Sequence, residues 1–162
     1  MFNGAKSGFR TLVFAIKSSA KDEAFIRRVR SKEDGEFVKN LYSNRVIRAI
    51  KGPEYNILSD NQLFEQDWVI SQNSSQMGLV LDGEKLARQE LEMISQPVAD
   101  GTVQLSPNGP IVLMRHRQTV GGYPRIANVI ESDISKLAQF AVGETFRFKL
   151  INIEDVMSIK EN

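Results

Sequence analysis

The sequence predicts a mainly β fold, a closed barrel or a sandwich, with two or three short helices. Eight or nine short runs rich in aromatic and β-branched residues recur along the 162 residues. Turn signals fall close together between them, and only brief stretches carry a helical apolar period, so a parallel α/β sheet is disfavoured. A chain of this length buries roughly two thirds of the surface it exposes when unfolded, which suits a single domain over residues 1–162.

Phe9 to Ile16 reads as the first strand, closed by Ser18-Ser19. From Lys21 to Glu36 cations and carboxylates largely cancel, so a solvated hairpin or short helix is expected there. Arg45 to Ile50 is a strand ending at Gly52-Pro53, where proline removes a ladder donor. Trp68 to Ser71 and Gly78 to Asp82 follow as strands, the second turning at Asp82-Gly83. Between Glu84 and Gln96 the composition shifts to helix formers, with Leu86, Ala87, Leu91 and Ile94 on one side of a short helix that Pro97 stops.

Strands return at Thr102 to Leu105 and Pro110 to Met114, joined by the turn residues Ser106 to Gly109 as a hairpin. Ile126 to Ile130 is another strand. Asp133 is placed to cap a helical turn bearing Ile134, Leu137, Ala138 and Ala141, with Gly143 at its end. Thr145 to Ile151 alternates strictly and turns Phe146, Phe148 and Leu150 to one face, the pattern of a half-buried antiparallel strand.

Composition excludes several function classes. Lys plus Arg number 21 against 20 Asp plus Glu, a net charge of +1 that creates no global attraction to nucleic acid or an acidic membrane. Absence of cysteine removes disulfides, thiolate nucleophiles and the common structural zinc sites, and His116 as the sole histidine leaves no metal ligand set. Met1 to Gly8 lacks signal-peptide features and no apolar run reaches about 18 residues, so a cytoplasmic protein is expected.

The most distinctive local feature is Gln118-Thr-Val-Gly-Gly-Tyr-Pro124, between two apolar strands. Paired glycines permit positive φ and leave backbone N–H groups open to a carboxylate, carbonyl or phosphate oxygen, with Gln118, Thr119 and Tyr123 adding side-chain donors. The same residues also suit a plain hairpin turn. His116, flanked by Arg115 and Arg117, reads either as a base or as an ordinary polar residue at a strand end. Carboxylates are scattered, although folding can bring Glu54 near Asp82 or Glu92. There is no Walker phosphate loop, so any ATP is expected on another chain.

Seven segments together resemble one family in order: Gly52-Pro-Glu54, Met77 to Gly83, Glu92 to Ser95, Gly101 to Gln104, Pro107 to Gly109, Pro110 to Leu113 and Gln118 to Ala127. The last resembles the family's Gln-Thr-Thr-Gly-Gly-Tyr-Pro-Arg/Lys-Ile-Ala. That family is the C-type subunit of 5-oxoprolinase, also called KipA or allophanate hydrolase subunit 2, and it is similar to the carboxyltransferase domain of urea carboxylases. The match covers about residues 46–156 and corresponds to the C-terminal half of a typical member, with 1–45 divergent.

The resemblance implies a cyclophilin-like β-barrel, a fold that does not by itself imply isomerase activity. It further implies the KipI-like B-type and the A-type subunits of 5-oxoprolinase as partners, and ATP-dependent opening of the 5-oxoproline lactam to glutamate, hydrolysis of a cyclic amide C–N bond. Higher oligomers stay open. The alternative role is regulatory, a KipA-like antagonist of a KipI-like kinase inhibitor. Carried over, Gln104, Asn108, Gln118, Thr119, Gly121, Gly122, Tyr123 and Arg125 form, with His116, a candidate ligand-binding rim. Departures fall at His116, where the family has an acidic residue, at Val120 for threonine, and at Ser75-Gln76 for Asp/Asn-Arg. No Met-Lys pair occurs, so no attached biotin is expected.

Overall fold

The protein is described here by a computed structural model over residues 44–155, so the strand expected at Phe9 to Ile16 and the charged segment from Lys21 to Glu36 lie outside the described residues. The barrel falls within one compact unit beginning at Arg45. Its elements are β1 (Val46–Lys51), a 3-10 turn (Tyr55–Ile57), α1 (Gln62–Glu65), β2 (Asp67–Ile70), β3 (Gly78–Asp82) and β4 (Gln96–Pro97). They continue with β5 (Thr102–Ser106), β6 (Gly109–Leu113), β7 (Val120–Gly121), β8 (Arg125–Val129), α2 (Glu131–Leu137) and β9 (Thr145–Leu150). No helix among the described residues is long and apolar enough to cross a membrane.

Seven strands close into a barrel in the order β1-β8-β5-β6-β3-β2-β9, and β4 pairs with β7 as a separate two-stranded ribbon. The expected β-barrel with short helices is therefore present, and the sandwich is not. Pairing is antiparallel around the barrel except at the closing seam, where β1 and β9 run parallel with Ile47 opposite Phe148. Parallel closure needs no hairpin, because the whole chain between β1 and β9 serves as the crossover.

Inward positions of these strands make the core. Ile47, Ala49, Trp68, Ile70, Leu81, Val103, Val112, Ile126, Val129, Phe146 and Phe148 are all buried. Phe146 meets Phe148 edge to face at 5.0 Å between ring centroids, a favoured quadrupole arrangement. Between β6 and β8, β5 is buried on both faces, so its outward residues need partners. They have them: Thr102 Oγ1 donates to Asn128 Oδ1 (3.0 Å), Gln104 Nε2 to the Tyr123 carbonyl (3.1 Å) and Ser106 Oγ to the Gly109 carbonyl (2.8 Å).

Three local expectations are corrected. Residues 84–96 form no helix: Leu86 is buried, but Leu91 and Ile94 are exposed. A helical stripe is stable only if its face finds an apolar partner. Here the backbone instead extends beside residues 57–59, with Ser59 N–H donating to the Ala87 carbonyl (3.0 Å) and Gln89 N–H to that of Ile57 (2.9 Å). Asp133 does not cap α2, whose N-cap is Ile130. Its buried carboxylate accepts from Arg48 instead, at N–H (2.8 Å), Nε (3.0 Å) and Nη2 (2.6 Å), fastening the helix to β1. Gly143 has φ +85° but leads into β9, well beyond the end of α2 at Leu137.

Candidate functional site

The double-glycine segment is held onto the barrel by one buried amide. A β-bulge between Val103 and Gln104 shifts the β5–β8 register, so that Gln104 faces Arg125. Gln104 is 1% exposed, and its Nε2 donates to the Tyr123 carbonyl. A Cβ at Gly121 would stand 2.5 Å from that same Nε2 and 3.0 Å from Oε1. Glycine is thus required at 121 for close approach, as the sequence suggests, but the approaching group is the protein's own Gln104.

Positive φ is not the reason for either glycine, since the described residues with positive φ are Gly101, Gly109 and Gly143. Gly122 is exposed, and a methyl group added there would find Ser95 Oγ as its nearest neighbour, at 3.7 Å. A side chain there would therefore meet mostly open space. Outside the barrel wall, β7 pairs Gly121 with Gln96 and Val120 with Pro97, and the Thr119 carbonyl accepts from Val98 N–H (3.1 Å). Gln118, Thr119, Gly122 and Tyr123 are all exposed along this ribbon.

Arg125 supports the ribbon from below. Its Nε and backbone N–H donate to Glu54 Oε2 (both 2.9 Å), Nη2 donates to Oε1 (2.7 Å), and Nη1 reaches the Pro97 carbonyl (3.2 Å). Hydrogen bonds from Arg125 hold the Glu54 carboxyl below its usual value and, with its charge, raise the guanidinium's. The Gly52-Pro-Glu54 turn reaches this position because Gly52 packs on β8, where a Cβ would lie 2.2 Å from the Arg125 carbonyl. Sequence reasoning missed the Glu54–Arg125 pairing: it allowed Glu54 to come near Asp82 or Glu92, and the signal is a lone carboxylate beside a tight Gly-Pro turn.

The candidate rim divides. Gln104, Gly121, Tyr123 and Arg125 come together at the ribbon, with Gln118, Thr119 and Gly122 on its exposed stretch. Asn108 sits in the β5–β6 turn, where its N–H donates to Ser106 Oγ (3.2 Å), and lines a different cavity of about 290 Å³ with Trp68, Asp82 and Lys85. His116 lines a third region, a cavity of about 500 Å³. Ser75 and Gln76 line that cavity too, so three positions at which the chain departs from the family pattern line the same cavity.

Comparison with known proteins identifies the family. The chain is 38% identical over 120 residues to the C subunit of 5-oxoprolinase from Haemophilus influenzae, covering 71% of this chain and 39% of that protein. It is 37% identical over 138 residues to the Escherichia coli protein of the same name, covering 82% of this chain and 44% of that one. It therefore spans about two fifths of the length of these relatives. The fold superposes on the Kluyveromyces lactis urea amidolyase with a TM-score of 0.66 at 21% identity, covering 74% of this chain and 8% of that structure. Residues 12–150 match the family model for the carboxyltransferase domain, subdomain A and B, and the chain belongs to that family.

Proposed function

We propose that the chain contributes its β-barrel to an ATP-dependent, 5-oxoprolinase-type assembly that opens a cyclic amide. The observation that carries this role is the Gln104 amide seated under Gly121 and bonded to the Tyr123 carbonyl, which fixes the ribbon while leaving Gly122 open. Support also comes from the likeness to two proteins named as the C subunit of 5-oxoprolinase.

In this role the Gly122 N–H, the Gln118 amide and the Tyr123 hydroxyl donate to the substrate carboxylate or to the oxyanion that develops when water attacks the lactam carbonyl. The C–N bond breaks, the ring nitrogen takes a proton, and glutamate results. ATP drives the step from a partner, either the KipI-like B-type subunit or its A-type companion, and this chain carries no biotin. The assembly is cytoplasmic and engages neither nucleic acid nor membrane.

Co-purification with B-type and A-type subunits, followed by measurement of ATP-dependent glutamate release from 5-oxoproline, tests the proposal. Association with turnover, lost on Gly122→Val, is expected. No association and no release would overturn it. Tight association without turnover that survives substitution of Gln118 and Tyr123 would instead assign the regulatory, KipA-like role.

A further inference from the structure

The cavity beside His116 lies apart from the ribbon and has a chemistry of its own. Its floor is apolar, built by Ile70, Leu79, Met114, Ile134 and Phe140, and its volume of about 500 Å³ is in the range of small-molecule sites. Ile70, Met114, Ile134 and Phe140 are each less than 9% exposed, so this floor is fixed by the barrel core and α2.

The polar part of the lining is Ser74, Ser75, Gln76, Arg115, His116 and Ser135, and among the described residues no carboxylate lines the cavity. Two of these groups are already engaged: Ser74 Oγ exchanges hydrogen bonds with the Val80 backbone (3.0 and 3.2 Å), and Ser75 Oγ accepts from Met77 N–H (3.2 Å). Arg115 is weakly engaged. Its Nε is 4.0 Å from Asp100, whose other oxygen lies 2.6 Å from Arg117 Nη1 without an aligned hydrogen bond. Two cations thus face one carboxylate, and an excess positive charge remains at the mouth of an apolar pocket. Such a site favours a ligand with one anionic end and a hydrocarbon body, since a fully polar anion would leave the floor unfilled.

We propose that this cavity binds a small amphipathic carboxylate, with its hydrocarbon body on the floor and its carboxylate beside Arg115 and His116. The site goes beyond the amide-opening role and does not depend on it. Being large and apolar, it is a poor match for 5-oxoproline.

Titration calorimetry of the full chain with sodium octanoate, without ATP or other subunits, tests the site. Saturable binding is expected, with octanamide weaker. Added KCl should weaken octanoate and spare octanamide, because only the former is held by charge. Arg115→Gln should raise the octanoate Kd several-fold and leave that of octanamide unchanged. Ala138→Phe and Ser135→Trp, both at exposed lining positions, should each weaken both probes by filling the space. Equal binding of the two probes, indifference to both filling variants, or tighter binding of 5-oxoproline than of octanoate would overturn the proposal. Loss of glutamate release in the assembled system would leave these results untouched, so the two proposals fail separately.

Discussion

Arg125 grips Glu54 with three donors, two from its guanidinium and one from its own backbone, across 71 residues of sequence. Both side chains are mostly covered, at 21% and 16% exposure, so solvent screens the pair only in part. Glu54→Gln should therefore cost about 2 kcal/mol, the scale of hydrogen bonds to a charged group. The loss should depend on pH. Because Arg125 depresses the folded carboxyl below its unfolded value of roughly 4.3, the contribution is fully present above that pH and disappears as pH falls through the folded value. In urea titrations, the stability gap between wild type and Glu54→Gln should be constant near neutrality and close in acid. A gap that persists at the lowest accessible pH would refute the assignment.

Gly121 and Gly122 are neighbours with opposite tolerance. Adding a methyl at 121 drives into the Gln104 amide, which is buried and can move only by giving up its bond to the Tyr123 carbonyl. Gly121→Ala should lower stability by about 1–3 kcal/mol, the usual cost of overpacking. Gly122→Ala meets nothing closer than 3.7 Å and should stay within about 0.5 kcal/mol of wild type. Thermal unfolding of both variants distinguishes a packing role at 121 from an open backbone at 122; equal losses would mean that Gln104 does not seat the ribbon.

Asp133 joins α2 to β1 through all three of its contacts with Arg48, and it is 5% exposed. Removing the carboxylate leaves the Arg48 backbone N–H without its acceptor, so Asp133→Ala should destabilise by about 2–3 kcal/mol. Amide exchange should accelerate in residues 131–137 before it does in the β5–β6 hairpin, because the staple is local to the helix. Uniform acceleration would show that α2 and the barrel unfold as one.

Strands were legible because their signal is carried by adjacent residues: the alternation in Thr145 to Leu150 names its own buried face, and Phe146 and Phe148 occupy it. Leu150 departs from the pattern, 37% exposed at the end of the strand. What could not be read locally is what distant residues decide. The claim on Asp133 comes from Arg48, the partner of Glu54 from Arg125, and the fate of residues 84–96 from the backbone of 57–59. For Asp133 and for residues 84–96 the local propensity was real and a longer-range contact displaced it. The candidate site divided for the same reason, since His116 and Gln118 are close in sequence yet serve different surfaces once β4 pairs with β7.

Trp68 offers a direct probe of the barrel, being the only tryptophan in the chain. It is 1% exposed on β2, and its Nε1 donates to the Leu63 carbonyl at 2.9 Å, linking the strand to α1. Gly83 gives the indole room, because a Cβ there would lie 2.7 Å from two of its ring carbons. Native fluorescence should therefore be blue-shifted and poorly quenched by iodide, moving to the red in one transition as the barrel opens. Trp68→Phe removes both indole volume and the donor, leaving the buried Leu63 carbonyl without its partner, and should cost about 2–4 kcal/mol. Gly83→Ala should act on the same wall by displacing the ring, so the double variant should lose less than the sum of the single losses. Strict additivity would show that Gly83 and Trp68 do not share the packing contact on which this end of the barrel rests.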